Sequence, residues 1–398
     1  MIYWDNAATT WPKPMAVTEA MSRALTRYGA NPGRGGHTMG MAASREVYRC
    51  RETAAEFFHL DNPGQVVFTL NCTMAMNMAL KGILRTSGRV VVSDLEHNAV
   101  MRPLHVLSPG RPIYDVAQVT PGDDDQTVEA FRRCITPFTR AIVCTHASNV
   151  FGVQLPIRRL GELAREHDLL FVVDAAQTAG VLPLDMEADH IDFLCVAGHK
   201  GLYGPMGTGM LLCGDRFQLP SFVEGGTGSQ SLLYEQPDEL PDRLESGTPN
   251  TPGICGLRAG MEWVKARGID AIRQQELRDV QMLYDAAARI PGVTLYTPRP
   301  EDGYGVPVLS LNIEGRASTD VAEELNRYGV AVRAGLHCAP SAHKKFGTLP
   351  GGTVRLAPSL FTSRAEVAET CRILRACAAS GGRQGVNCLL YTSPSPRD

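Results

Sequence analysis

The stretch Val172-Val-Asp174-Ala-Ala-Gln177-Thr-Ala-Gly ends an apolar run that begins at Leu169. Such a run predicts a buried parallel strand, which delivers the acid to the carboxyl edge of a sheet. A second apolar run, 191–196, is followed by Ala-Gly-His-Lys200-Gly. Two strands of this kind would bring Asp174 and Lys200 to the same edge of one sheet.

An acid and a lysine at one sheet edge suit the two ends of a pyridine ring. Pyridoxal phosphate needs a lysine that holds it covalently and an anion that keeps its ring nitrogen protonated. Asp174 or Lys200 alone is more typical of a structural acid or a solvated lysine on a loop. The two together, in this order, favour pyridoxal 5'-phosphate as the cofactor.

Three motifs carry a resemblance to a known family: VVDAAQTAG at 172–180, AGHKGLYGPMGTG at 197–209 and RAGLHC at 333–338. They resemble the cysteine desulfurase branch of the class V aminotransferases, over about 6–370. The resemblance implies the α/β fold of type I pyridoxal phosphate enzymes: a mostly parallel sheet with helices on both faces plus a smaller α+β C-terminal domain. It also implies conversion of L-cysteine to L-alanine, with the sulfur mobilised for uses such as iron–sulfur cluster assembly.

Composition sets the class of protein. The chain has 398 residues, 44% of them hydrophobic, and a net charge of −3, which predicts an ordinary globular protein of two domains. The absence of a basic block argues against a nucleic-acid partner. The N-terminal 14 residues lack the features of a signal peptide and no apolar run reaches membrane-spanning length, so we expect a cytoplasmic protein without a membrane anchor.

The eleven cysteines are scattered, without a Cys-x-x-Cys pair. This pattern argues against a structural zinc site, and no metal is expected. Cys144, Cys195 and Cys213 lie in apolar runs and are predicted to be buried thiols.

Alternating strand-like and helical patterns predict a large cofactor-binding domain over 1–258, although its first 15 or so residues would pack with the small domain. The pattern then changes to α+β, which predicts a small domain over 259–380 that carries the Cys338 loop. Residues 384–398 resemble a translated sequencing adapter, and a disordered native tail is the alternative. The strand-like runs of the large domain are 66–69, 89–93, 141–145, 169–173, 191–196 and 209–212.

A strand, a polar turn and a helix follow one another over 66–84, a pattern that suits phosphate binding at a helix N-terminus. Thr73 is predicted to cap this helix. The resemblance assigns the cofactor phosphate to this turn, with Cys72 and Thr73, and makes His199 a further phosphate donor. Many relatives carry Ser or Thr at the position of Ala197, so one phosphate contact is missing or replaced.

Three more cofactor residues come from the resemblance. His97 follows the strand-like run 89–93 and matches the histidine that stacks on the ring and moves protons, although a lone loop histidine is more often only solvated. Gln177 matches the hydrogen-bond donor to the phenolic oxygen of the ring. Asn149 matches a contact near that oxygen and the substrate carboxylate.

Cys338 follows a strand-like run at 330–332 and lies among glycine and proline, which predicts an exposed turn. Cationic neighbours favour a reactive thiolate, and His337 and Arg333 are predicted to supply that charge. A cysteine alone is more often structural. The loop resembles the persulfide-forming loop of the short-loop desulfurases, which work with a sulfur-acceptor protein, and Arg333 borders the same substrate site.

The resemblance also implies the reaction. Lys200 is the general base for the α-proton, and the Cys338 thiolate attacks the substrate sulfur. His97 moves protons at the departing sulfur. Arg355 matches the clamp on the substrate carboxylate, where a surface salt bridge is the alternative.

Two turn-rich segments complete the site in the resemblance. The loop 245–253 contains Thr248, which in relatives reaches the cofactor phosphate of the neighbouring subunit, so a homodimer is expected. The segment 31–37 borders the cleft and ends at His37, a candidate substrate contact. A simple surface loop is the alternative for 245–253.

Other functions remain open on this sequence. L-Selenocysteine is a possible second substrate. An aminotransferase, an epimerase or a β-lyase would use the same scaffold but needs no thiol nucleophile, so Cys338 discriminates against them. A non-catalytic scaffold or sulfur carrier is a further alternative, against which the intact set of Lys200, Asp174, His97 and Arg355 argues.

Overall fold

A computed structural model describes residues 1–33, 36–301 and 303–380. The tail predicted over 384–398 lies outside these residues. Within them, no helix is both long enough and apolar enough to cross a lipid bilayer.

The large sheet has seven strands, of which all but one run in the same direction. Its strands are β2 (Val66–Thr69), β3 (Arg89–Ser93), β4 (Tyr114–Ala117), β5 (Thr139–Thr145), β6 (Leu170–Asp174), β7 (Phe193–Ala197) and β8 (Gly209–Cys213). Their order is β2-β8-β7-β6-β5-β3-β4, and β8 is the antiparallel strand. The central strands are nearly fully buried, as their apolar runs predict.

Helices cover both faces of this sheet, with a separate apolar cluster on each face. This arrangement confirms the predicted α/β class. The helices of this part of the chain are α1 (Met15–Arg27), α2 (Thr38–Phe58), α3 (Cys72–Ile83), α4 (Asn98–Leu107), α5 (Asp124–Cys134), α6 (Ile157–Glu166) and α7 (Thr251–Arg267).

The later part of the chain builds a second, antiparallel sheet of four strands in the order β12-β13-β10-β9. The N-terminal strand β1 pairs with β11, and Trp4 lies in the apolar cluster of this smaller sheet. The remaining elements are β1 (Ile2–Tyr3), α8 (Ile269–Ala287), β9 (Val293–Leu295), β10 (Leu309–Ile313), α9 (Ser318–Arg327), β11 (Val330–Ala331), β12 (Arg333–Gly335), α10 (Pro340–Lys345), β13 (Thr353–Leu356) and α11 (Arg364–Ser380). The domain limits near residue 258 stay a prediction.

Candidate active site

A cleft opens at the carboxyl edge of the large sheet. It brings together all the residues that were predicted to bind the cofactor, except Thr248. The residues that line it are Asn71, Cys72, Thr73, His97, Ala99, Thr145, Asn149, Asp174, Ala176, Gln177, Ala197, His199 and Lys200.

Asp174 and Lys200 come from neighbouring parallel strands. Asp174 is the last residue of β6, is 3% exposed, and accepts hydrogen bonds through Oδ1 from the Ala176 amide (2.9 Å) and the Cys72 thiol (3.4 Å). Lys200 follows β7 after a short turn. Burial lowers the pKa of the Lys200 ammonium, although Asp174 opposes this shift. A lysine in this state loses its proton more readily than one on the surface.

Helix α3 begins at the cleft, with Cys72 as its first residue. The N-cap is Asn71, whose side chain accepts a hydrogen bond from the Met74 amide (2.9 Å). The prediction that Thr73 caps the helix is therefore wrong, because Thr73 already lies inside the first turn while Asn71 has the extended backbone of a cap. Burial, and then the Asp174 carboxylate, raise the pKa of the Cys72 thiol, so Cys72 stays protonated and is no nucleophile.

His199 lines the same cleft as the first residues of α3. Among the described residues its buried Nδ1 has no hydrogen-bond partner. Burial and the Lys200 and Lys13 ammonium groups lower the pKa of His199 to about 4, so the ring is neutral at neutral pH. Lys13, which sequence reasoning missed, donates to the His199 carbonyl (2.7 Å).

These features test whether pyridoxal phosphate fits the cleft. An unpartnered imidazole nitrogen and the start of α3 suit a phosphate, the Asp174 carboxylate suits a protonated ring nitrogen, and the Lys200 amine suits covalent attachment. The residues present therefore fit the cofactor from one end to the other.

His97 is the N-cap of α4, and its Nδ1 accepts a hydrogen bond from the Ala99 amide (3.0 Å). Burial lowers the pKa of His97, although the Asp174 carboxylate opposes the shift. Because Nδ1 is committed to the helix, only Nε2 remains to carry a proton to or from a ligand. Gln177 also lines the cleft and donates to the Ala7 carbonyl (3.0 Å).

Arg355 lies on β13, is 3% exposed, and is held by two partners. Its Nη1 donates to the Asn149 carbonyl (2.9 Å) and its Nη2 to Asp5 Oδ1 (3.0 Å), a partner that sequence reasoning missed. Its buried Nε has no partner among the described residues. The guanidinium is thus fixed in place with an N–H left over, which suits an incoming carboxylate.

Cys338 lies on a turn after β12 and is exposed, unlike the other described cysteines. His337 and Cys338 have φ angles of 49° and 57°, in the left-handed region that non-glycine residues rarely adopt. The Cys338 carbonyl accepts a hydrogen bond from the Asn98 amide (2.7 Å), and the His337 carbonyl accepts one from Asn149 Nδ2 (2.8 Å). Since Asn98 follows His97, the turn is anchored at the rim of the cleft.

His337 does not supply the cationic charge that was predicted for the Cys338 loop. It is 6% exposed, and burial and the Arg355 guanidinium lower its pKa to about 2. The ring is therefore neutral at neutral pH, and this prediction is wrong. Arg333, by contrast, is exposed at the same turn.

Thr248 and His37 do not line the cleft of their own chain. Thr248 is exposed beside a separate pocket that Leu70 and Met74 also line, and it accepts a hydrogen bond from Asn31 Nδ2 (3.4 Å). His37 is the N-cap of α2 and accepts a hydrogen bond from the Gly40 amide (3.2 Å). Within the described chain, neither residue is therefore part of the cofactor cleft.

Comparisons with known proteins agree with this site. The family model "Aminotransferase class-V" matches residues 2–369. The chain is 32% identical to a probable cysteine desulfurase of Methanothermobacter thermautotrophicus, over 92% of each chain. It is 32% identical to a cysteine desulfurase of Salmonella dublin, over 85% of this chain and 84% of that one.

A solved structure extends the likeness to three dimensions. The apo structure of the cysteine desulfurase from Thermococcus onnurineus NA1 superposes with a TM-score of 0.87 at 31% identity, over 95% of each chain. The resemblance read from the three motifs is thereby confirmed. The chain belongs to the class V aminotransferases, a family of pyridoxal phosphate enzymes, and within it to the group of the cysteine desulfurases.

Proposed function

We propose that the protein takes sulfur from L-cysteine onto Cys338 as a persulfide and releases L-alanine. The observation that carries the proposal is the exposed Cys338, anchored at the rim of a cleft that contains Lys200 and Asp174. Rival enzymes on this scaffold, such as aminotransferases, epimerases and β-lyases, have no use for a thiol at this point.

Asp174 and Lys200 would have separate roles in the reaction. Pyridoxal phosphate, when bound, supplies the electron withdrawal that makes the α-proton of an amino acid acidic. Asp174 would hold the ring nitrogen in its protonated form. Lys200 would take the α-proton, because its lowered pKa leaves more of the amine neutral.

Arg355 and Asn149 would orient the substrate carboxylate. The guanidinium is fixed by Asp5 and by the Asn149 carbonyl, so it loses little freedom when a carboxylate binds to its remaining N–H groups. This fixes the direction in which the side chain of L-cysteine points.

The sulfur step involves Cys338 and His97. The Cys338 thiolate attacks the substrate sulfur, an S–S bond forms, and the C–S bond breaks with its electron pair left on carbon. Protonation of that carbon, and return of the α-proton from Lys200 to the α-carbon, complete L-alanine, and His97 Nε2 is placed to move the proton of the substrate thiol. A thiol acceptor then takes the outer sulfur from the persulfide.

Replacing Arg355 by glutamine is expected to raise the KM for L-cysteine roughly 10- to 100-fold, because charge-assisted hydrogen bonds to the carboxylate are lost. Steady-state L-alanine formation measures the change. The double variant Asp5→Asn/Arg355→Gln controls for the acid left unpaired and should show the same KM. An unchanged KM in both variants would show that the carboxylate binds elsewhere.

Replacing His337 by glutamine is expected to leave the pH dependence of L-alanine formation unchanged between about pH 6 and pH 8. An imidazole whose folded-state pKa is about 2 carries no charge to lose in that range. The measurement is kcat for L-alanine formation at several pH values, per bound cofactor. A displaced profile would mean that His337 titrates and acts as a cation after all.

A homodimer is part of the proposal. Thr248 and His37 lie outside the cleft of their own chain. The exposed apolar side chains of Leu70 and Val223 line the same pocket as Thr248. A second copy of the chain that covers them would bring Thr248 to the cofactor phosphate of its partner.

The remaining proposals concern substrate range and setting. L-Selenocysteine differs from L-cysteine only in the chalcogen and would fit the same carboxylate clamp. A sulfur-acceptor protein would dock where Cys338 is exposed. No disulfide joins the described cysteines, which supports a reducing compartment such as the cytoplasm.

The experiment that tests the function is release of L-alanine from L-cysteine in the presence of a thiol reductant. The purified, cofactor-loaded protein is expected to turn over repeatedly. Pyruvate, a racemised amino acid or a keto-acid product in place of L-alanine would favour the lyase, epimerase or aminotransferase, respectively.

A further inference from the structure

The chain just beyond Cys338 is joined to the large sheet by an ion pair. Lys345, the last residue of α10, donates to Asp94 Oδ2 at 2.6 Å, and the two side chains are only 19% and 8% exposed. Asp94 comes directly after β3. Neither residue lines the cofactor cleft.

The acid in this pair is itself held by the sheet. Asp94 Oδ1 accepts a hydrogen bond from the Val119 amide (3.1 Å), and the Asp94 amide donates to the Ala117 carbonyl (3.1 Å). A carboxylate held at Oδ1 and through its own backbone amide offers its other oxygen, Oδ2, to the ammonium of Lys345 as a single, rigid docking point.

Other contacts hold the same segment. Phe346 stacks on Phe151, with ring centroids 4.0 Å apart, and the Cys338 carbonyl is bonded to the Asn98 amide. The segment from Cys338 to Phe346 is therefore attached near both of its ends to parts of the chain that follow strands β3 and β5 of the large sheet.

The backbone of the turn explains why such attachment matters. Two consecutive non-glycine residues, His337 and Cys338, have left-handed φ angles. That conformation is unfavourable for side chains with a Cβ and persists only where the surrounding structure enforces it. Without outside contacts, the turn would relax and move the thiol.

We propose that the Asp94–Lys345 ion pair is a positioning device that keeps the Cys338 turn at the cleft, at the distance that attack on the substrate sulfur requires. The inference rests on the proposed role of Cys338 as the sulfur nucleophile. Both residues act through the turn, since neither contacts the cleft.

The test compares Lys345→Met with Lys344→Met, a matched control at the exposed neighbouring lysine. In Lys345→Met, kcat for L-alanine formation is expected to fall on the order of tenfold, the size of a lost interaction between coupled residues. KM for L-cysteine and the visible absorbance of the bound cofactor should stay within about twofold of the native values, because Arg355 and Lys200 are untouched. Lys345→Arg keeps the charge and should recover most of kcat.

A second readout does not depend on turnover. Amide hydrogen exchange of the peptide spanning 336–346, followed by mass spectrometry, should become faster in Lys345→Met and stay native in Lys344→Met. Equal kcat and equal exchange in these two variants would overturn the proposal. A loss of cofactor absorbance parallel to kcat would also overturn it, because the pair would then support the whole fold.

The two proposals fail separately. If the native protein makes no L-alanine, the proposed function fails, while the exchange rates still decide whether the ion pair holds the turn. If the native protein is active and Lys345→Met matches it in kcat and in exchange, only the ion-pair proposal fails.

Discussion

Replacing Lys200 by alanine is expected to lower L-alanine formation from L-cysteine by roughly 10⁴-fold, since a general base at the reacting carbon contributes up to about that factor. The side chain lies where β7 delivers it to the cleft, and its lowered pKa suits it to accept a proton. No other lysine of the described chain lines the cleft, so no neighbour can replace it.

Two further variants test whether the loss of activity is due to the base function of Lys200. Lys200→Arg keeps a long cation but cannot give up its proton, so it should be as inactive as Lys200→Ala. Lys265→Ala changes an exposed lysine paired with Glu56 and should keep native activity. L-Alanine is measured by chromatography after a fixed time. Activity of Lys200→Ala within about tenfold of the native rate would contradict the assignment of this lysine as the base.

Replacing Cys338 by alanine is expected to reduce L-alanine formation from L-cysteine by at least about 10³-fold, because loss of a covalent nucleophile removes the step itself. The thiol is exposed, so its removal leaves no cavity and the fold should be unchanged. The visible absorbance of the bound cofactor should therefore stay native, which separates loss of chemistry from loss of cofactor.

The matched control is Cys134→Ala, at a half-buried cysteine at the end of α5, far along the chain from the turn. It should keep native kcat. Retained L-alanine formation in Cys338→Ala would remove the persulfide mechanism. An epimerase, a β-lyase or an aminotransferase would instead keep forming its own, different product in that variant.

The residues of the cofactor site could be predicted from the sequence because a buried strand appears there as a run of apolar residues. The apolar runs before Asp174 and before the Lys200 turn are typical of central strands, and parallel strands bring the residues that follow them to one edge of the sheet. The structure brings both residues into one cleft, together with His97, which follows β3 in the same way.

Elements without a clear apolar pattern were predicted less well from the sequence. Strand β4 was missed because it is an edge strand with half-buried Tyr114 and Asp115 and an exposed Val116, so it has no apolar run. Helix α10 was missed because six residues are too few to show helical periodicity. The cap of α3 was misassigned because Asn71 and Thr73 both have capping side chains, and only the backbone decides between them.

Contacts between distant segments were beyond sequence reasoning. Asp5 pairs with Arg355, and Asp94 with Lys345, across most of the chain, and neither pair leaves a local pattern. The neutral state of His337 has the same origin, since its burial comes from packing that the turn sequence does not encode. Charge states at the thiol end of the site therefore depend on the tertiary structure.

The central claim is that sulfur from L-cysteine passes through Cys338. The most direct test is to mix the cofactor-loaded protein with L-cysteine without reductant, alkylate at once, digest, and weigh the peptide that contains Cys338. We expect this peptide, and no other cysteine peptide, to gain the mass of one sulfur atom in proportion to the L-alanine formed. L-Alanine formed without added sulfur on Cys338, or with the sulfur on another cysteine, would contradict the claim.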